Sequence, residues 1–162
     1  MALATSTEAR RAYWSLGDLW IVHLSGEETE GCFSLLETVW APASPAPLHV
    51  HRATHELYYV FEGELTVQLP GRAVRRGPGG WAFCPRGVPH TYDVTSSTPA
   101  RLLHVGSPAG FDEFVAAAGE PARELTLPPE PDIERAVALT PEYGIDVLGG
   151  PGEVPAGAVP PE

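Results

Sequence analysis

The sequence predicts an all-β fold, a small antiparallel β-barrel or sandwich, with a short C-terminal helical extension. Short apolar runs separated by turn-forming residues recur about every 8–12 residues, the spacing typical of such folds. The 17 glycines and 18 prolines among 162 residues would interrupt a bundle of long helices. Apolar and polar residues alternate clearly from Leu65 to Leu69, as in a strand with one buried face.

Strands are predicted throughout the first two thirds of the chain. The runs are LWIVHL, FSLLETVW, LHVH, ELYYVF, ELTVQL, RAVRR, WAFC, HTYDV and RLLHV. The connections EGE at residues 62–64 and PG at residues 70–71 are short, so we expect the strands beside them to pair as hairpins.

The pattern changes to a helical one after residue 107. From Phe111 to Ala118 the apolar residues recur at i, i+3, i+4 and i+7, which places them on one face of a helix. Asp112 and Glu113 lie in its first turn, where the helix dipole favours acidic side chains. A second helix is predicted over residues 131–140, between two prolines.

These elements divide the chain into four predicted segments. They are an N-terminal arm (1–18), the barrel (19–107), a helical extension (108–148) and a flexible tail (149–162). The tail is predicted to be loose because Gly and Pro fill eight of its fourteen positions.

The composition limits the kinds of binding partner and chemistry that we expect of this protein. Acidic residues outnumber basic ones 21 to 10, giving a net charge of −11, which disfavours nucleic acid and anionic membranes. All basic residues are arginine, which excludes lysine Schiff-base chemistry and a Walker-type phosphate loop. We see neither a signal peptide nor a membrane-spanning run and expect a cytoplasmic location. Cys32 and Cys84 lie in apolar runs, so we expect two buried thiols.

The chemically informative stretch is HVHRATHE, residues 49–56. His49 and His51 share a face if this stretch begins as a strand. A turn through residues 52–54 then starts a new strand at Glu56, beside the first. His90, which follows the PRGVP turn, is the best candidate for a third imidazole, provided that the two halves of the sheet face each other. The alternative is that HVH is a chance pair on an edge strand.

Three imidazoles and one carboxylate suit a divalent first-row ion: Fe, Mn, Ni, Co, Cu or Zn. Four protein ligands leave open positions in a five- or six-coordinate ion, as a catalytic site requires. His55 is the competing residue beside Glu56. Because neighbouring side chains on a strand oppose each other, we expect only one of the two to ligate, and we favour Glu56.

The spacing of these residues resembles the first motif of the cupin superfamily, G-x5-H-x-H-x3,4-E-x6-G. This chain reads His49-x-His51-x4-Glu56-x6-Gly63, with Ala43 where the leading glycine usually lies.

The second cupin motif, G-x5-P-x-G-x2-H-x3-N, follows in order. The chain matches it with Gly79-x5-Pro85-x-Gly87-x2-His90, and Val94 replaces the final asparagine. The resemblance covers about residues 32–107, and SPAGFDEF at residues 107–114 adds a similarity to single-domain bacterial cupins related to quercetin 2,3-dioxygenase.

The resemblance implies a double-stranded β-helix that holds a metal inside the barrel. The implied ligands are His49, His51, Glu56 and His90. Residues predicted to line a substrate pocket are Tyr58, Val60, Phe83, Tyr92 and His104. Tyr58 and Val60 share the parity of Glu56 and should face inward. The aromatic residues Phe61, Trp81, Phe83 and Tyr92 are expected more often in the core than stacked on a ligand. His104 is predicted to be a core or cavity-lining histidine.

A proton-transfer role falls to Glu56 or to Glu37. Glu37 is a candidate general base if its side chain faces inward and a solvated charge if it faces outward. The sequence of that strand does not fix which of its two faces is buried. The favoured function is that of a metal-dependent dioxygenase, an oxidoreductase acting on a small phenolic or enol substrate. The alternatives are a non-redox cyclase, isomerase or dehydratase of aromatic polyketide type, and a non-catalytic small-molecule-binding cupin. We also expect a homodimer, with Tyr13 and Trp14 of the arm contributing.

Overall fold

The computed structural model describes residues 11–128 and 133–159, and the fold over these residues is mostly β, as predicted. The strands are β1 (Arg11–Ser15), β2 (Asp18–Leu24), β3 (Ser34–Trp40), β4 (Pro47–His51), β5 (His55–Glu62), β6 (Leu65–Leu69), β7 (Arg72–Arg76), β8 (Trp81–Cys84), β9 (Thr91–Val94), β10 (Ala100–Ser107), β11 (Glu120–Pro121) and β12 (Ile145–Pro151). The helices are α1 (Phe111–Ala118), α2 (Ile133–Leu139) and a 3-10 helix (Thr140–Tyr143).

The strands form two antiparallel layers. One is a seven-stranded sheet in the order β11-β1-β2-β3-β10-β5-β8. The other consists of the β12-β4 pair and the β7-β6-β9 sheet, which an isolated bridge between His49 and His90 joins. Among the described residues, strand pairing does not run continuously from one layer to the other, so packing of side chains closes the barrel.

Alternating side chains from both layers fill the interior. Along β3, Ser34, Leu36, Thr38 and Trp40 are buried, and the residues between them are partly exposed. Trp20 and Trp40 pack with ring centroids 5.8 Å apart. Buried residues of β2, β3, β5, β8 and β10 join those of β6, β7 and β9 in one main apolar cluster between the layers. A second, smaller cluster consists of Ala12, Trp14, Leu19 and Ile21 of β1 and β2.

The segment expected to be an arm is part of the first sheet over residues 11–18. β1 and β2 form a hairpin whose two turn residues, Leu16 and Gly17, have φ of 59° and 86°. Such left-handed turns match the twist of antiparallel strands. Trp14 is buried, and its indole Nε1 donates to the Thr126 carbonyl at 2.8 Å. Residues 1–10 lie outside the described residues.

The C-terminal part contains both predicted helices and two unpredicted strands, the two-residue β11 and the longer β12. α1 occupies residues 111–118, and α2 lies within the predicted 131–140, of which residues 131–132 fall outside the described part. After Gly144, in a left-handed turn (φ 74°), β12 pairs antiparallel with β4. The expected boundary between extension and tail, at 148/149, therefore falls inside a strand, because the free edge of β4 is satisfied by backbone groups of β12. Residues 160–162 of the predicted tail are not described.

Cys84 is buried, but Cys32 is exposed, which corrects the expectation for that thiol. Cys32 follows Gly31 in the turn between β2 and β3 rather than lying in a strand. No helix within residues 11–128 and 133–159 is long and apolar enough to cross a membrane.

The solvent side of β5 and β8 carries four aromatic side chains, which we call the outer aromatic face. They are Tyr59, Phe61, Trp81 and Phe83, each more than a third exposed. They alternate with the buried residues of the same strands, because β-strand side chains point to opposite sides in turn. The expectation that Phe61, Trp81 and Phe83 belong to the core is wrong.

Candidate metal centre

The four predicted ligands converge between the two layers. His49 and His51 point inward from alternate positions of β4, Glu56 lies near the start of β5, and His90 immediately precedes β9. One ligand atom from each of the four lies within 4.8 Å of every other, and all four side chains are buried. We call this group the His3Glu cluster.

The turn between β4 and β5 produces this arrangement locally. Residues 52–54 reverse the chain, so that Glu56 faces inward although it follows His51 at an odd offset. His55 faces away from the cluster, and its Nδ1 accepts a hydrogen bond from the Arg86 backbone N–H at 3.2 Å. The structure thus places Glu56, and not His55, beside the imidazoles.

His90 is brought to the cluster by backbone pairing with His49. The His49 N–H donates to the His90 carbonyl at 3.0 Å, and the His90 N–H donates back to the His49 carbonyl at 2.9 Å. Their ring centroids lie 4.4 Å apart. This reciprocal pair aligns residues from two distant stretches of the sequence.

Backbone carbonyls fix the tautomers of two of the histidines. His49 Nδ1 lies 2.8 Å from the Pro47 carbonyl oxygen, and His90 Nδ1 lies 3.0 Å from that of Val88. Since a carbonyl only accepts, each Nδ1 carries the hydrogen and donates it. In the neutral rings, Nε2 is then left with the lone pair that binds metals, the usual arrangement of a ligating histidine.

The carboxylate of Glu56 lies against these nitrogens. Its Oε2 is 3.1 Å from His51 Nε2 and 3.0 Å from His90 Nε2. A lone pair on His90 Nε2 that faces an anionic oxygen at this distance is repelled unless a positive charge lies between them. Either a proton or a metal ion supplies that charge.

The pKa shifts of the cluster agree with the need for a positive charge between His90 and Glu56. Burial, with the neighbouring His90, lowers the pKa of His49 to about 3, and burial also lowers the pKa of His51. Burial opposes charge on Glu56 as well, but His51, His104 and His90 hold its pKa well below the usual range. Burial disfavours charge on His90 too, but hydrogen bonds to Cys84 and Glu56 raise its pKa well above normal. Two imidazoles kept neutral beside an anionic carboxylate are donors that fit a divalent ion.

The other carboxylate oxygen of Glu56, Oε1, accepts two hydrogen bonds from the side away from His51 and His90. Oε1 accepts hydrogen bonds from the Tyr58 hydroxyl at 3.0 Å and from His104 Nε2 at 2.9 Å. Sequence reasoning placed Tyr58 and His104 in a substrate pocket, but both are buried behind the carboxylate. Val60 is likewise fully buried in the core rather than in a cavity wall.

A narrow cavity of about 50 Å³ opens onto the cluster. Of the predicted pocket residues, only Tyr92 lines it together with the ligands His49, His51 and Glu56. The remaining walls are mostly apolar and come from the β1–β2 turn, the residues before and within β4, α1, α2, the 3-10 helix and β12. They are Leu16, Ala46, Pro47, Phe111, Phe114, Val137, Thr140, Ile145 and Val147.

Two predicted site residues lie on the outside of the first sheet. Phe83 belongs to the outer aromatic face and stacks on His55 with ring centroids 5.6 Å apart. Glu37 also lies on the solvent side of β3, where its carboxylate accepts from Arg101 Nε at 2.6 Å and contacts His23 Nε2 at 3.1 Å. The inward orientation that a general base would need is therefore wrong for Glu37.

Sequence reasoning missed the residues that the C-terminal segment, residues 133–151, brings to the site. Ile145 lies opposite His51 and Val147 opposite His49 in the β12–β4 pairing. The only sequence signal for this strand is IDVL, a short run before a Gly-rich stretch. Cys84, paired opposite Glu56, is a further inward neighbour whose place was visible only through strand register.

Comparison with known proteins gives one family and one curated relative. Residues 36–106 match the cupin domain family. Quercetin 2,3-dioxygenase from Bacillus subtilis (strain 168) is 29% identical over 108 residues, which is 67% of this chain. The match covers 32% of the dioxygenase, so the chain spans about a third of its curated relative.

The solved structures similar to this chain include two that share the fold at low sequence identity. KdgF from a Halomonas species superposes with a TM-score of 0.53 at 18% identity, covering 60% of this chain and 85% of KdgF. A sugar phosphate isomerase from Silicibacter pomeroyi gives 0.52 at 20% identity, covering 68% of this chain and 77% of the isomerase. At these identities the likeness concerns the fold alone.

Proposed function

This chain is a member of the cupin superfamily, and from that premise we propose that it is a metal-dependent dioxygenase acting on a small enol or phenol. The observation that carries the proposal is the buried His3Glu cluster at the end of an apolar cavity. The curated relative, itself named a quercetin 2,3-dioxygenase, favours dioxygen chemistry over the other reactions of such a centre.

The metal would be held by the three histidines and by Oε2 of Glu56. The donor set suits Fe, Mn, Ni, Co, Cu or Zn and does not select among them. When bound, such an ion acidifies an enol or phenol hydroxyl and stabilises its anion, and a redox-active ion also allows that anion to react with dioxygen.

The chain's own residues would provide a dry, oriented setting. Phe111 and Phe114 from α1, with Ile145 from β12, cover the cluster with apolar surface and exclude water. Tyr92, whose ring also stacks on Trp40 at a centroid distance of 4.2 Å, adds an aromatic side chain to the cavity wall. Glu56 is the only carboxylate of the described residues in this cavity wall, so the proton-transfer role proposed for Glu37 passes to Glu56 alone.

The cavity is too small to admit a phenolic substrate without a movement of the chain. A volume of about 50 Å³ accommodates a water or dioxygen molecule, whereas pockets for drug-sized ligands measure about 300–1,000 Å³. A phenolic substrate would therefore bind only if the C-terminal segment moves outward from β4. Its exposed attachments include the Arg52–Asp146 ion pair at 3.1 Å and a hydrogen bond from the Arg52 guanidinium to the Pro141 carbonyl at 2.8 Å.

The first experiment is elemental analysis of the purified protein, with His49→Ala/His51→Ala as the test variant and His55→Ala as its matched control. We expect about one first-row metal per chain in the wild type and the control, and none in the double variant. Metal retained by the double variant would remove the proposed centre.

The second experiment measures oxygen consumption with flavonols and other enediols. Uptake that depends on the bound metal supports a dioxygenase. A zinc-loaded protein that converts such substrates without consuming oxygen would instead support the non-redox cyclase, isomerase or dehydratase, because the same four donors also bind zinc. Tight binding without turnover would identify a small-molecule-binding cupin.

A further inference from the structure

The two oxygens of the Glu56 carboxylate have different surroundings. Oε2 faces the nitrogens of His51 and His90, and Oε1 faces the Tyr58 hydroxyl and His104 Nε2. The side chains of Tyr58 and His104 are 1% and 0% exposed, so water cannot replace either contact. The carboxylate is thus buried between the ligand histidines on one side and two donors on the other.

Hydrogen-bond chemistry fixes the direction of both contacts on Oε1. A carboxylate oxygen only accepts, so the Tyr58 hydroxyl and His104 Nε2 each supply a hydrogen. His104 is therefore protonated at Nε2, the opposite tautomer to His49 and His90. Its Nδ1 is buried and has no hydrogen-bond partner among the described residues. The fold leaves one nitrogen unpaired while keeping the donor directed at Glu56.

Ring packing holds His104 in this orientation. It lies opposite Tyr58 in the β10–β5 register, on the inner face of the sheet. The Trp20 ring meets it edge-on at a centroid distance of 5.7 Å and an angle of 89°. Phe111 packs on it at 4.5 Å and Tyr58 at 5.2 Å. Because three rings surround the imidazole, it has little freedom to turn away from the carboxylate.

We propose that Tyr58 and His104 are positioning residues that hold Glu56 so that Oε2 alone is directed at the metal. This inference rests on the metal centre proposed above. An ionised carboxyl offers about two lone-pair sites on each oxygen, and the two donors occupy both sites on Oε1. Partners of this kind orient metal ligands and tune their affinity in many proteins.

The arrangement has a consequence for the open coordination positions. With Oε1 occupied, Glu56 supplies one donor atom and leaves room on the ion for substrate. Without the two donors, both oxygens become available, and the carboxylate can turn or bind through both. The affinity for the ion and the geometry around it both change.

The test uses Co²⁺ as a probe, because its visible absorption reports coordination number and its affinity can be measured by competition with a chelator. The variants are Tyr58→Phe and His104→Leu, which each remove one donor, and His104→Gln, whose amide can still donate. Thr38→Val is the matched control, since it removes a buried hydroxyl hydrogen bond on the neighbouring strand, away from Glu56. We expect roughly 10–100-fold weaker binding in Tyr58→Phe and His104→Leu. We also expect an altered visible spectrum in both, with recovery in His104→Gln.

The outcomes separate this inference from the metal centre itself. If the wild type binds no Co²⁺, the proposed centre fails. If the wild type binds one equivalent but Tyr58→Phe and His104→Leu keep its affinity and spectrum, only the positioning role is overturned. The same conclusion follows if Thr38→Val loses as much affinity as they do, because general destabilisation then explains the loss. Should His104→Leu fail to fold, Tyr58→Phe decides the question, because it removes a single oxygen from a ring that stays packed.

Discussion

The metal-free protein should lose stability between pH 6.5 and 5 because of His49. Burial lowers the pKa of this histidine to about 3, against about 6.5 in an unfolded chain. Between these values the unfolded chain binds a proton that the folded protein does not, so stability falls as the pH falls. Over 1.5 pH units at about 1.36 kcal/mol each, His49 alone accounts for about 2 kcal/mol.

The other titratable groups of the cluster do not obscure the expected loss of stability between pH 6.5 and 5. His51, whose pKa is also lowered, adds to the loss with the same sign. The raised pKa of His90 contributes stability that is present below pH 6.5 and is lost as the pH rises above it. The lowered pKa of Glu56 contributes stability that is lost only as the pH falls below about 4.5. Neither His90 nor Glu56 therefore adds much slope between pH 5 and 6.5.

The assay is urea unfolding at stepped pH in the presence of a chelator. The test variant is His49→Asn, whose amide can still donate to the Pro47 carbonyl, and the control is His23→Asn, which removes an exposed imidazole outside the cluster. We expect the free energy of unfolding to depend less steeply on pH in His49→Asn than in the wild type or the control. An equal slope in wild type and His49→Asn would refute the assignment of His49 as a buried neutral imidazole.

Three further predictions concern the metal, the cavity and the outer surface. Loading with metal at a free concentration a thousand times the Kd should stabilise the protein by about 4 kcal/mol. That corresponds to a melting temperature higher by roughly 8–16 °C, and calorimetry with and without a chelator measures it; an unchanged melting temperature contradicts the metal centre. Ile145→Ala should cost about 2–5 kcal/mol of stability, because the side chain is buried. It should also speed oxygen uptake with bulky phenols relative to Leu148→Ala, whose side chain in the same strand is exposed; equal rates would show that the cavity wall does not limit access. The homodimer expected from the sequence, with Tyr13 and Trp14 contributing, stays a prediction. Because Trp14 is buried within this chain, we propose instead that a second copy of the chain binds the outer aromatic face. At the margin of this face, Arg101 pairs with Glu37 and Glu62. Because of this pairing, the outer aromatic face should repel a second copy less than the rest of the surface does in a chain of net charge −11. Trp81→Ser/Phe83→Ser should give a monomer by size-exclusion chromatography, with Val154→Ser as control, and an unchanged dimer would place the interface elsewhere.

Local periodicity made the centre of this site predictable. His49 and His51 share a face because side chains alternate along a strand, and the turn after His51 brings Glu56 back beside them. Placing His90 required two distant stretches to meet, which the cupin motif spacing implied and local patterning alone did not. The sequence therefore predicted which residues gather at the cluster, but not the hydrogen bonds that fix their tautomers.

The sequence did not predict which side chains face the core where both faces of a strand are apolar. It also failed where no residue of the strand indicates which face is buried. In WAFC every residue suits a core, so the sequence does not distinguish Phe83, which is exposed, from Ala82, which is buried. In SLLETVW the outward position of Glu37 follows only from the pairing of β3 with its neighbours. β12 was missed because its two glycines and its proline indicate a loop, whereas its strand conformation depends on pairing with the edge of β4.

Because residues 49 and 90 pair across a long stretch of sequence, we expect the site to be completed late in folding. The segment that contains both histidines of β4 can form early, but it offers an ion only part of its donors. Closing the long loop between residues 49 and 90 costs entropy that must be offset by packing of the intervening strands. An ion that needs all four side chains would therefore be retained only by molecules whose two layers have already docked, so metal content would track the fraction of correctly folded chains in a preparation.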